Sequence, residues 1–163
     1  IHNDLVVGNA SAWQLWNSYE PGSPDFDTRY FLVALKPNEK HTDGEYFQTK
    51  GLWSFGNFSR FIRPGMQRIN VDRSDELTDL QAAQDVMLSA YTDNKGKAVV
   101  VAINYSGVQK TVKLDLKNLA KASKIKRYVT SAAENDNLKP YPEQNLKDAF
   151  ILPARSVTTM VME

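Results

Sequence analysis

Two indoles three residues apart, Trp13 and Trp16 in "SAWQLW", are the side chains of this sequence best suited to recognition chemistry. An indole face packs well against the CH groups of a pyranose, so such a pair just past a strand end can serve as a sugar-stacking platform. The competing reading is burial, since two tryptophans three apart on a short helical turn share one face and one of them points inward. Groups for bond breaking are scarcer. His2 stands at the terminus and His41 in a polar loop, and neither has a Ser or Asp beside it to complete a relay. Sugar hydrolysis by paired acids needs two carboxylates facing across the scissile bond, roughly 5 to 9 Å apart. Asp4 precedes a strand, Glu20, Asp25 and Asp27 share one loop, and Asp43 and Glu45 share another. These acids form no catalytic set.

Metal and phosphate chemistry fare no better. "TDGEY" holds an Asp-Gly turn and a nearby acid without the spaced oxygen ligands of a calcium loop. Gly51 and Gly56 fall inside a helical pattern, where they read as close packing and not as a phosphate cradle. Asn9, Asn57 and Asn104 each begin an N-x-Ser sequon, read as chance matches in a chain rich in Asn and Ser. There is no cysteine, which excludes disulfides, thiolate zinc sites and a cysteine nucleophile together. A formal net charge of +1 argues for neither nucleic acid nor an acidic membrane surface as partner. No apolar run approaches the roughly 20 residues that span a bilayer. The start Ile1-His2-Asn3 suggests a processed or excised piece, and 163 residues suit one domain or a domain plus part of another.

The elements that would position the indoles fall into two textures. From 1 to about 65 lie all the tryptophans, with prolines and glycines between apolar runs. "DLVVGN" (4–9) reads as a short buried strand and "ASAWQLWNSY" (10–19) as the start of a helical turn. "EPGSPDFD" is loop chemistry, "TRYFLVAL" is strand-like, and "KPNEKHTDGEYF" is loop again. Thr49 suits an N-cap, Leu52, Phe55, Phe58 and Ile62 recur at helical spacing, and Pro64-Gly65 ends the helix. From about 66 the chain reads as short strands. "DVMLSAYTD" and "KAVVVAINYS" form a hairpin across "NKG", "VQKTVKLDL" alternates as a sheet with one wet face, and "SKIKRYVTS" and "AFILPARSVTTMVME" add further strands. An antiparallel sandwich follows from that spacing.

Taken together, "GNASAWQLW", "TKGLWSFGNFSRFIRPGMQRI", "GKAVVVAINYS" and "FILPARSVTTMVM" resemble the end of the catalytic barrel and the C-terminal sandwich of glycoside hydrolase family 30. The resemblance is strong to about residue 72 and more generic beyond. It implies a fold that is mainly β with one or two helices: an antiparallel β-sandwich (66–163) preceded by the final strand–loop–helix unit of a (β/α)₈ barrel (1–65). Members of that family are retaining enzymes with a glutamate acid/base after the fourth barrel strand and a glutamate nucleophile after the seventh. Both would lie upstream of Ile1, and no glutamate here matches either motif, so the chain contributes no catalytic residue and would be inactive alone. What the resemblance carries over is substrate contact. Trp13 matches the tryptophan after the eighth strand that lines the sugar subsite, with Gln14 beside it, and the loop Glu20–Gln48 would sit at the barrel mouth.

The expected partners are a carbohydrate substrate and the N-terminal barrel portion, with no cofactor, and the expected location is secreted or periplasmic. Two rivals stand beside this reading. An independent carbohydrate-binding module would show a planar row of exposed aromatics, for which the second half offers Tyr91, Tyr105, Tyr128, Tyr141 and Phe150 on different strands. A non-catalytic scaffold protein is the other. In the leading reading Arg60 and Arg63 hold the helix end, and the "GNFSRFIRPG" stretch is a joint between the two parts.

Overall fold

The computed structural model describes residues 1–22, 30–117 and 123–163. In chain order they form helix α1 (His2–Val6), strands β1 (Tyr19–Pro21), β2 (Val33–Pro37) and β3 (Gly44–Gln48), and helix α2 (Lys50–Ser59). Strand β4 (Gln67–Ile69) and the short helix α3 (Asp79–Ala82) lead into β5 (Val86–Thr92), β6 (Ala98–Asn104), β7 (Lys110–Val112) and β8 (Lys124–Thr130). The chain closes with β9 (Lys139–Asn145), β10 (Phe150–Leu152) and β11 (Ser156–Met162).

Six strands make one antiparallel sheet in the order β4-β5-β6-β11-β8-β9. Its central strands are covered on both sides, which is why β6 and β11 read as near-continuous apolar runs and not as alternation. One set of residues in the period-2 pattern, Val100 and Ala102 on β6 with Met160 and Met162 on β11, packs under the β7–β10 pair around Phe150 and Leu152. The opposite set, Val99, Val101 and Val161, packs against Phe58 and Phe61 at the end of α2. Full burial of side chains this size contributes roughly 2 kcal/mol each. The expected antiparallel sandwich is therefore present, with three helices among the described residues where one or two were expected.

The joint has the predicted chemistry. Thr49 caps α2, its side chain accepting from the Leu52 N–H at 3.4 Å. The α-helix ends at Ser59, short of Pro64, because the proline ring disfavours helical backbone in the residue before it and clashes with a carbonyl one turn back. Single turns carry the chain onward, with Ile62 N–H donating to Phe58 O at 2.9 Å. Gly65 then takes φ +91, a conformation that favours glycine, and the chain enters β4. Gly56 is a true close approach, since a Cβ there would lie 2.5 Å from Leu138 Cδ1.

Several local expectations are corrected. Residues 4–9 are not a strand: His2–Val6 form α1, tied by Leu5 N–H to Ile1 O at 3.0 Å. No described strand pairs with these residues, so their backbone groups bond locally while Ile1 and Leu5 reach the core beside α2. Residues 10–18 contain no helix. The loop expected before Thr49 hides β3, an exposed strand paired antiparallel with β2. β7 is three residues long and not nine, with Leu114 and Leu116 reaching the core from irregular backbone. β9 lay in a stretch read only as polar, and it tolerates Pro140 and Pro142 because it forms the sheet edge.

Candidate functional site

The Trp13–Trp16 segment runs between α1 and the small sheet of β1, β2 and β3. Its start is held by Ala10 N–H to Asp4 O at 2.8 Å, and its end by Asn17 N–H to Tyr30 O at 2.9 Å and by two bonds to Ser18 O from Leu32 and Val33. Trp13 is half-buried. Its ring lies 5.7 Å from that of Phe55 on α2, at 42° between planes, and its indole hydrogen-bonds to Asp4. Asp4 is thus engaged with Trp13. Gln14 is exposed, and Trp16 is 90% exposed. The two indoles divide the two readings between them: Trp13 leans on the helix and Trp16 presents an open face.

Beside them, Ser18, Tyr19, Val33, Trp53, Phe55 and Leu138 bound an open cleft of about 410 Å³ between the small sheet and α2. The register of that sheet places Tyr19, Val33, Leu35 and Tyr46 on one face, and both tyrosines are exposed. The sequence did not single these out, because β3 was read as loop. Pairing of strands, not periodicity within one of them, brings the tyrosines together.

The other candidates are dispersed. His2 is buried, and burial pushes its pKa below the ordinary value. His41 is exposed in the β2–β3 turn at φ +53. Asp43 accepts from Gly44 N–H at 2.8 Å, and Glu45 pairs with Lys36 at 3.8 Å. Glu20 lies exposed on β1, while Asp25 and Asp27 fall outside the described residues. Among the described residues no group of three His, Cys, Asp or Glu side chains could hold a metal ion.

Of the sequon residues, Asn57 and Asn104 are buried with their amides engaged, so neither can take a glycan. Asn9 is exposed and accepts from Arg68 at 2.8 Å. The guanidinium of Arg60 lies 5.7 Å from the ring of Tyr128, and Arg63 donates to Ser59 O at 2.8 Å, so both arginines serve the helix end as expected. The sandwich aromatics form no planar row. Tyr91 and Phe150 are buried, Tyr128 lies against Phe61 at 4.6 Å, and Tyr141 faces Arg127 at 5.2 Å. Of the five, Tyr105 is the exposed one. No helix among the described residues is long and apolar enough to cross a membrane.

No protein-family profile matches the chain. It is 30% identical over 166 residues to glucuronoxylanase XynC of Bacillus subtilis, covering 100% of this chain and 33% of that protein. Among solved structures, a conserved exported protein from Bacteroides fragilis superposes with TM-score 0.84 at 41% identity, covering 98% of this chain and 31% of that one. A family 30 endoxylanase from Clostridium papyrosolvens superposes with TM-score 0.66 at 28% identity, covering 99% of this chain and 36% of that one. A family 30 subfamily 8 xylanase from Clostridium acetobutylicum does so at 0.70 and 25%, with the same coverage of 99% and 36%. The chain spans about a third of the length of the curated relatives it matches. Similarity along its whole length, on a mainly β fold with an antiparallel sandwich, matches this chain to the C-terminal portion of glycoside hydrolase family 30 enzymes.

Proposed function

We propose that the chain is the C-terminal part of a retaining glycosidase acting on a β-linked polysaccharide, with xylan as the substrate class suggested by the relatives' names. Residues 1–65 belong to the catalytic barrel in this reading, and residues 66–163 are its sandwich side domain. The glutamates that protonate the leaving oxygen and attack the anomeric carbon are supplied by the remaining two thirds of a protein of the relatives' length. The 163 residues alone are inactive, and the whole protein is exported, in line with the description of one structural relative.

The observation that carries this reading is the open indole of Trp16 next to Trp13, which is braced by Phe55 and Asp4. A flat apolar face held on a supported segment is what a sugar subsite wall requires. Trp16 supplies the stacking face, Trp13 sets its position and lines the same wall, and Gln14 is within the same exposed stretch.

Steady-state kinetics on the full-length enzyme test this. Trp16→Ala should lower kcat/KM on xylan at least tenfold with little change in melting temperature, and Trp13→Ala should lower both. The 163-residue chain should release no reducing sugar in the same assay. Unchanged kinetics in Trp16→Ala would remove the subsite reading, and turnover by the short chain would remove the division of labour.

A further inference from the structure

A second cleft, of about 270 Å³, opens where the first turn of α2 meets the ends of β6, β8 and β11. Lys50 and Ser54, one turn apart, line it from α2, and Tyr105, Ser131 and Arg155 line it from the sandwich. No Asp or Glu is among its lining residues, so its charge is carried by Lys50 and Arg155. The Lys50 ammonium is fixed by Ala133 O at 2.6 Å and Asn137 Oδ1 at 2.7 Å. It contributes a stationary positive charge to that wall.

Arg155 is the unusual member. Its guanidinium carbon sits 4.5 Å from the centroid of the exposed Tyr105 ring. Among the described residues its N–H donors have no hydrogen-bond or ion-pair partner, and the hydroxyls of Ser54 and Tyr105 have none either. The backbone of Arg155 takes φ +48, left-handed, where a residue with a Cβ costs roughly 1 kcal/mol over glycine. Its N–H closes the turn on Ser106 O at 3.1 Å, which any residue but proline could do. The turn therefore does not account for a guanidinium at this position.

We propose that this cleft is an accessory subsite for a saccharide unit bearing a carboxylate, an inference that rests on the glycosidase reading. Arg155 offers the planar fork that receives a carboxylate through two parallel N–H···O bonds. The phenol of Tyr105 and the hydroxyl of Ser54 are placed to exchange hydrogen bonds with sugar hydroxyls. A neutral sugar would leave the guanidinium without its partner, and a short carboxylate would leave the hydroxyls without theirs.

Backbone-amide NMR on the 163-residue chain, titrated separately with sodium D-glucuronate, D-glucose and sodium acetate, tests the proposal. Glucuronate should shift the amides of Tyr105, Ser106, Arg155 and Ser156 saturably, with glucose and acetate binding at least tenfold more weakly. Arg155→Gly, which suits the left-handed backbone, should abolish the response while the remaining spectrum is preserved, and Arg155→Asn should do the same. Equal binding of glucose or acetate, an undiminished response in either variant, or shifts confined to Trp13–Trp16 would each overturn it. Failure here leaves the Trp16→Ala result untouched, and failure there leaves this titration untouched, so the two readings fall separately.

Discussion

At Asn57 the side-chain amide donates to Tyr128 O at 3.1 Å and to Thr159 Oγ1 at 2.9 Å, and the Thr159 hydroxyl returns a bond to Asn57 O at 2.6 Å. Asn57 and Thr159 are fully buried, so α2 is fastened to β8 and β11 by polar contacts largely away from water. Asn57→Ala strips partners from two buried groups and should lower unfolding free energy by about 2 kcal/mol, read from urea titration. In the sequence Asn57 was legible only as the start of a sequon, because Thr159 lies 102 residues away. His2 supplies a pH effect at the same scale. Burial depresses its folded pKa below 6.5, so the fold favours the neutral ring. Its contribution is fully present above 6.5 and is lost as pH falls through the depressed folded value. Melting temperature should therefore decline below pH 6.5, before the carboxylates titrate, and His2→Gln should flatten that decline.

At the scale of elements, the joint was the most legible part of the chain, because capping and helix-stopping residues act over a few positions. Thr49, the apolar spacing of α2, Pro64 and Gly65 all behave as their types require. Gly65 has no atom within 4 Å of where a Cβ would stand, so its requirement is purely conformational. Gly65→Ala should destabilise by about 1 kcal/mol, whereas Gly107→Ala, equally open and without a positive φ, should fall within about 0.5 kcal/mol of wild type in chemical denaturation. Elements that depend on a neighbour were not legible. β3 and β9 carry polar, exposed residues, and pairing with β2 and β8 is what makes them strands. α1 is the converse case, an apolar run resembling a strand that pairs with no described strand.

The whole molecule is organised by a sheet with a core on each face. One core lies inside the sandwich, and the other joins the sandwich to α2 through Phe58 and Phe61 over Val99, Val101 and Val161. A chain cut to residues 66–163 would bare those three valines. That should cost roughly 5 kcal/mol. Such a piece should melt well below the intact chain and bind a hydrophobic dye, both readable in one thermal scan. Lys50, clamped by the 133–137 segment, adds a polar tie across the same boundary.

Much of this protein was determined by the sequence alone. The antiparallel sandwich, the capped helix with its proline-glycine stop and the family resemblance all rest on residue types at short spacing. Tertiary structure decided which of two adjacent indoles is open, because Phe55 and Asp4 brace Trp13 while Trp16 meets solvent. It also decided that a sequon asparagine is a rivet, and that Arg155 and Tyr105, fifty positions apart, stand over one cleft with Lys50. Capping, turn and alternation signals act through bonds to near neighbours and are written locally. Burial and convergence depend on which distant segments close over a residue.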